Sequence, residues 1–436
     1  MAKISKKPVT AIIVGAGHRG LVYGSYSLEH SDRLKIVGVA DPNPIRRQQV
    51  RDLYGFPERN CYESAVELAI QPQFADAVIN GTMDHQHVST SIPLLKQGYH
   101  ILLEKPICQT ADDLSLLVQT VRETGRKVLV CHVLRFAPFY RKIKEIVASG
   151  AIGDLINIGT IEGVSYHHMG VAFVRGKWRQ RKTNPIMLAK CCHDLDLICW
   201  FNSGVRPRVV SSVGGLSIFR RENAPPGSGE RCLVDCQIEE TCKYSAKKNY
   251  VDYDFWDFYA WDSIEHISNP TREDKLKSLR TDNPFGRCVW RCDNDVMDHQ
   301  SVLIEFENGS VANHQLICAT PKGDRRIHLM GTEGEIFGFM KEGTFVLRTP
   351  QFMECCNFED QHFDVNVTGD MHGGGDLRLV DDFVSVLLGE QPSISTTDLF
   401  DSVNSHLIAF ASDEAMLNRK CVNLEELQEI VFMERG

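Results

Sequence analysis

Thr10-Ala-Ile-Ile-Val-Gly-Ala-Gly-His-Arg-Gly20 carries a short β-branched apolar run into Gly15-x-Gly17-x-x-Gly20, and Leu21-Val-Tyr-Gly-Ser-Tyr-Ser-Leu28 continues it with helical character. The order reads as strand, tight turn, helix. Gly15 allows the turn a dihedral that side chains resist. A side chain at Gly17 would hold the backbone away from a pyrophosphate, and one at Gly20 would push the helix off the strand. The helix start then turns free N–H groups and its positive dipole end toward phosphates. A lone GxGxxG is a weak signal, but a second strand-like run, Leu34 to Ala40, ends at Asp41. That is about twenty residues on, where such a turn has its ribose-binding acid. The plainer alternative is a structural turn with Asp41 as a helix cap.

Working outward, residues 10–130 alternate strand and helix. Helices are expected over Pro44 to Tyr54, Ala65 to Ile70, Ser89 to Gln97 (stopped by Gly98) and Asp112 to Thr124 (stopped by Gly125). Strands are expected over Ala75 to Asn80, His100 to Glu104 and Lys127 to Cys131. Such alternation predicts a parallel doubly wound sheet with its ligand at the strand C-termini. From Phe139 the pattern changes. A helix over Tyr140 to Ser149, a strand over Ile156 to Val164 and one apolar helix over Ile186 to Phe201 precede a series of strand candidates: Val209 to Gly215, Val302 to Phe306, Val311 to Ile317, Arg326 to Gly331, Gly334 to Phe339 and Thr344 to Arg348. Glu307-Asn308-Gly309 is a hairpin signal. The fold class is therefore α/β: a Rossmann domain over 1–132, then an α/β domain over 133–436 with a large, mostly antiparallel open sheet. Residues 220–295 read as an insertion and 376–436 as closing helices.

The chain has 436 residues, 43% hydrophobic and 24% charged, with a net charge of −9. An acidic balance excludes nucleic acid or an anionic membrane as the main partner, and no apolar run approaches the ~18 residues of a membrane span. Without a signal-peptide core at the basic N-terminus, a cytoplasmic location is expected. Fifteen cysteines, several of them single in apolar runs (Cys108, Cys131, Cys199, Cys318), suggest a reduced interior rather than a disulfide scaffold. Cys232-x3-Cys236-x5-Cys242 with Cys288-x3-Cys292 is the one arrangement suited to zinc. Its spacing is not a standard signature, so no residue is assigned to a metal and the set stays open.

Glu104-Lys105-Pro106 closes the fifth strand on the same sheet edge as the glycine turn. The proline restricts Lys105 to extended geometry, and a nicotinamide cation beside the ammonium would lower its pKa. A solvated lysine is the alternative. The sequence resembles the Gfo/Idh/MocA oxidoreductases (glucose–fructose oxidoreductase and inositol dehydrogenase). The matching stretches are Gly15-Ala-Gly-His-Arg-Gly20, Ala40-Asp-Pro-Asn43, Thr82-Met-Asp-His-Gln-His87, Gly98 to Pro106, Arg135-Phe136, Gly150-Ala-Ile-Gly153 and His193-Asp-Leu-Asp196. The resemblance implies a tightly held nicotinamide cofactor, hydride chemistry at a sugar or polyol hydroxyl, and a homodimer or homotetramer formed through the C-terminal sheet.

Carried over residue by residue, the resemblance makes Lys105 and His193 catalytic, in place of a core histidine at 193. Gly15, Gly17, His18, Arg19, Gly20, Asp41, Thr82, His87, Glu104, Lys105 and Arg135 become cofactor contacts. Oxidising a secondary alcohol needs a base within hydrogen-bond reach, and imidazole suits that role. Many relatives have an aspartate four residues before this histidine, where this chain has Ala189. Lys190, near the same helix face, is either a replacement polar group or solvated. His168, Trp178, Arg179, Lys190, Asp196 and His372 are the expected substrate contacts. For Trp178-Arg179 a loop anchor is the alternative, and for the glycines after His372 a helix capped by Asp376. Asp41 favours NAD, while Arg46 and Arg47 leave NADP open. The leading expectation is an NAD(P)-dependent oxidoreductase acting on a ring hydroxyl of a sugar, glycoside or polyol. The alternatives are a redox-neutral NAD-dependent glycosidase working through a keto-sugar and elimination, and a non-catalytic NAD-binding sugar sensor.

Overall fold

Six parallel strands build the first sheet in a computed structural model that describes residues 7–267, 269–351, 357–365, 367 and 371–432. They are β1 (Val9–Val14), β2 (Leu34–Ala40), β3 (Cys61–Tyr62), β4 (Ala77–Asn80), β5 (His100–Leu103) and β6 (Val128–Val130), in the order β3-β2-β1-β4-β5-β6. The order reverses beside β1, which places a crevice above the glycine turn. Alternate residues of β1 face opposite layers. Ile12 and Val14 join a core with Leu94, Leu117 and Val121. Ala11 and Ile13 meet Tyr23, Tyr26 and Val50. Local sequence sets the helix ends. Asn43 accepts from the Ile45 N–H at 2.9 Å, Pro44 opens the helix Pro44–Tyr54, and Gly55 closes it at φ +71°. Thr110 caps Ala111–Thr124, with Asp112 and Asp113 in its first turn and Gly125 at its end.

The second sheet has nine strands in the order β14-β13-β12-β11-β7-β10-β9-β8-β15. They are β7 (Leu155–Ser165), β8 (Pro207–Gly215), β9 (His299–Phe306), β10 (Val311–Thr320), β11 (Asp324–Gly331), β12 (Glu335–Phe339), β13 (Thr344–Pro350), β14 (Phe358–Asp364) and β15 (Val422–Asn423). Only β7 and β10 pair in parallel. One face alternates buried with exposed positions and is covered by the helices Cys192–Phe201 and Leu399–Asn418. The other face leaves Val213, Leu303 and Ile156 more than half exposed.

One expectation needs correction. The helix expected over Ile186 to Phe201 is two, Ile186–Ala189 and Cys192–Phe201, because Cys191 leaves helical dihedrals at φ −86°, ψ +1°. The two closing helices pack on different sheets. Gly375–Leu387 buries Leu379, Val380 and Phe383 against the first sheet, while Leu399–Asn418 lies on the second. Strand β14, with the sequence Phe-Glu-Asp-Gln-His-Phe-Asp, has no apolar alternation to read and forms an exposed edge. The 220–295 stretch is the connection between neighbouring strands β8 and β9, built from short helices and turns packed by Tyr244, Tyr250 and Phe285.

Candidate active site

The ends of β1, β2, β4 and β5 converge on one edge of the first sheet. Gly15 sits at φ +82°, and a Cβ there would lie 2.6 Å from the Thr82 nitrogen; one at Gly20 would lie 2.4 Å from the Gly15 oxygen. At Gly17 a Cβ would meet only an Arg46 guanidinium nitrogen, at 3.6 Å. The backbone at Gly17 is therefore open from the crevice side, and no side chain caps the following helix His18–Gly24. These are the features a pyrophosphate needs: uncovered amides and room for close approach. Asp41 is buried at the tip of β2, accepting from the Ala16 N–H at 2.7 Å and the Asn43 N–H at 2.8 Å. The residues present fit a bound dinucleotide.

Two arginines beside Asp41 are already committed. Arg46 pairs with Glu265 at 2.8 Å, and Arg47 donates to the main-chain oxygen of Asp41 at 2.6 Å. The β8–β9 connection thus reaches the glycine turn, where Phe258 also stacks on His18 with centroids 5.2 Å apart. Arg19 bridges Glu104 at 2.7 Å and Asp376 at 2.5 Å. Burial would raise the Glu104 carboxyl, but the charges of Arg19 and Lys105 hold it below the usual range. Burial likewise opposes ionisation of Asp376, and His372 and Arg19 hold it at about 2.

Lys105 follows Glu104 and precedes a cis peptide bond to Pro106. Its Nζ donates to the Ala189 carbonyl at 3.0 Å. That carbonyl ends the short helix Ile186–Ala189, so the helix break supplies an acceptor for the ammonium. His193 opens the next helix. It is 3% exposed, and neither ring nitrogen has a protein partner. Burial, then the charges of Lys105 and His372, pushes its pKa well below the usual value, so the ring is neutral. His372 stands at φ +55° ahead of two left-handed glycines. That turn brings its ring 5.4 Å from His193 and its Nδ1 3.2 Å from Asp376. His168, pushed down by burial and by Lys190, faces the same cluster and packs on Trp256. Beneath it Lys190 pairs with Glu162 at 3.3 Å, and Arg325 with Glu162 at 2.7 Å and Asp194 at 2.8 Å. Lys190 is therefore neither solvated nor a free substitute for the aspartate. Cys191, Asp194 and His314 bring three ligand atoms within 4.8 Å, but Arg325 already neutralises Asp194.

Several expected contacts are engaged elsewhere. Arg135 and Asp196, expected on cofactor and substrate, form a buried two-point pair with each other at 2.7 and 2.5 Å. Burial of both ends leaves them no other partner of comparable strength. His87 spends both nitrogens on the main chain, on the Pro106 oxygen at 2.6 Å and the Thr82 oxygen at 3.1 Å, and so fastens two loops. Thr82 donates to Asn80 at 2.8 Å. Arg179 turns to Asp293 at 2.9 Å, and Trp178 donates to Asp84 at 2.9 Å; both anchor the loop. Sequence reasoning left out His132, Glu162 and Arg325. His132, whose ring lies 6.0 Å from His193, follows the end of β6, a position that could have flagged it. Arg325 lies on an antiparallel strand with no local signal.

An open glycine turn over a parallel sheet, joined to a buried lysine–imidazole cluster, defines a dinucleotide-dependent oxidoreductase. Comparison with known proteins agrees. Residues 9–132 match the Gfo/Idh/MocA family, described as an oxidoreductase family with an NAD-binding Rossmann fold. Oxidoreductase YteT of Bacillus subtilis is 23% identical over 420 residues, 91% of this chain and 93% of that one. The trans-1,2-dihydrobenzene-1,2-diol dehydrogenase of Oryctolagus cuniculus is 30% identical over 244 residues, covering 52% and 71%. A levoglucosan dehydrogenase in complex with NADH superposes with a TM-score of 0.69 at 15% identity, over 96% of this chain and 99% of that one. The chain belongs to the Gfo/Idh/MocA oxidoreductases and is an NAD(P)-dependent enzyme.

Proposed function

We propose that this enzyme oxidises a ring hydroxyl of a sugar, glycoside or polyol, with residues 1–132 holding the dinucleotide and residues 133–436 the substrate. The observation that carries the site assignment is His193: a buried, neutral imidazole with both nitrogens unpartnered, beside the ammonium of Lys105. Bound NAD supplies the hydride acceptor. His193 accepts the hydroxyl proton as the C–H bond is lost, and Lys105, steadied by the Ala189 carbonyl, donates to the same oxygen. His372, paired with Asp376, lies next in line to share that proton. Lys190 and His168 add donors suited to further ring hydroxyls. The like-positive neighbours keep His193 unprotonated until substrate arrives.

Asp41 and the commitment of Arg46 and Arg47 support NAD over NADP, since a 2′-phosphate would find a carboxylate and no free guanidinium. The exposed apolar face carrying Val213 (70% exposed) and Leu303 (61%) supports assembly of copies through the second sheet. No helix among the described residues is long and apolar enough to cross a membrane. The unpaired thiols among the described residues support a reducing compartment, the cytoplasm.

The crowd of imidazoles (His132, His168, His193, His372) favours one second reading, redox-neutral glycoside cleavage, which needs additional proton transfers. One experiment separates the two. Purified protein is analysed by mass spectrometry for NAD and then screened on glycosides and polyols for NADH and for released aglycone. Stoichiometric NADH is expected. Aglycone without net NADH would establish the second reading, and neither product from any substrate would leave a sensor.

A further inference from the structure

The cysteines that the sequence spaces irregularly along the β8–β9 connection meet in space. Cys232, Cys236, Cys242 and Cys288 line one small pocket of about 10 Å³, with Arg175 and Glu239 also on its wall. Cys292 does not; its thiol donates to the Cys288 carbonyl at 3.2 Å. Three of the four sulfurs already accept hydrogen bonds. Tyr244 N–H points at Cys242 Sγ at 3.4 Å, Trp290 N–H at Cys288 Sγ, and an Arg175 guanidinium nitrogen lies 3.4 Å from Cys232 Sγ.

Arg175 supplies an independent argument. Its side chain is 1% exposed, at the end of the π-helical segment Met169–Arg175. Its donors go to the Arg287 and Tyr244 carbonyls, the Tyr250 hydroxyl and Cys232 Sγ. Among the described residues it forms no ion pair with a carboxylate. A buried guanidinium without a counter-charge is costly, and neutral thiols provide none.

We propose that Cys232, Cys236, Cys242 and Cys288 bind one structural zinc ion as thiolates, with Arg175 as the buried counter-ion of the anionic cluster. Four soft sulfur ligands select a tetrahedral Zn²⁺ site. No three of the sulfurs among the described residues lie mutually within 4.8 Å, so binding at Zn–S distances of ~2.3 Å would require the thiols to turn inward about their Cα–Cβ bonds. Each thiol gives up its proton to solvent on binding. The ion would staple a connection that has little regular structure and whose far side covers the glycine turn through Phe258 and Glu265.

The test uses the full chain as purified, under thiol-reducing conditions. Elemental analysis is expected to find one zinc per chain. It should persist in Cys292→Ser, disappear in Cys288→Ser, and leave wild-type protein on mercurial titration of the thiols. Exchange of cobalt(II) into the wild-type protein, which needs no variant to fold, should give the visible bands of tetrahedral thiolate coordination. Absence of stoichiometric metal with no cobalt spectrum, iron with sulfide, a disulfide within the set, or zinc retained by a folded Cys288→Ser protein would each overturn the assignment.

Discussion

Alanine in place of His193 lowers kcat/KM for alcohol oxidation by about 10²–10⁴-fold, the range for loss of a positioned acid–base group. The dissociation constant for NAD stays near that of the wild type. The imidazole sits on the helix Cys192–Phe201, and among the described residues its ring contacts are His132 and His372 rather than the glycine turn. Lys105→Ala costs a similar factor, and Lys105→Arg does not restore it, because a planar fork cannot occupy the place of an ammonium held by one carbonyl. The pH profile separates base from bystander. Burial and the charges of Lys105 and His372 push the pKa of His193 below its usual value. The basic form is therefore already present at neutral pH, and the acid limb of kcat/KM falls below the ~6.5 of free imidazole. In His193→Ala that limb is lost. Steady-state kinetics across pH, with NAD binding followed by fluorescence, measures all three. Unchanged turnover in either alanine variant would return both residues to a structural role.

Asp196→Ala destabilises the fold by about 3–5 kcal/mol, the usual result of leaving one member of a buried ion pair alone. Arg135 is only 3% exposed in its side chain; it also donates to the Thr396 carbonyl at 3.3 Å and lies over the Trp200 ring at 5.7 Å. Removing the carboxylate leaves its charge without an anionic partner among the described residues. The double variant Arg135→Met with Asp196→Leu recovers much of the loss, because it removes both charges together. Chemical denaturation of the four proteins closes the cycle. The folded single variant keeps its affinity for NAD, as expected of a pair that joins the first sheet's edge to the His193 helix. A large rise in the NAD dissociation constant without loss of stability would restore the reading of Arg135 as a cofactor contact.

The first sheet was legible because its signals are local. Asn43-Pro44 and Gly55 bracket one helix, Thr110 and Gly125 another, and each follows from side-chain capping or a left-handed φ. The break at Lys190–Cys191 was not legible. The run from Ile186 to Phe201 is apolar throughout, and the interruption arises from Lys190 reaching Glu162 on β7 and from Lys105 reaching the freed carbonyl. Lys105 and His193 are proposed from motifs. Glu162 and Arg325 beside them had no such signal, since they come from segments far apart in sequence. Four of the expected contacts share one feature. Arg135, Asp196, His87 and Arg179 have the right chemistry for ligand contacts, and only tertiary structure reveals that each is spent on a protein partner.

The most direct measurement is a crystal structure of the protein with NAD⁺ and a substrate-like polyol. The account places the pyrophosphate on the backbone at Gly17, the adenosine ribose at Asp41, and a polyol hydroxyl between Lys105 Nζ and a nitrogen of His193, facing the nicotinamide ring. A dinucleotide bound elsewhere, or a polyol held away from both side chains, would contradict it.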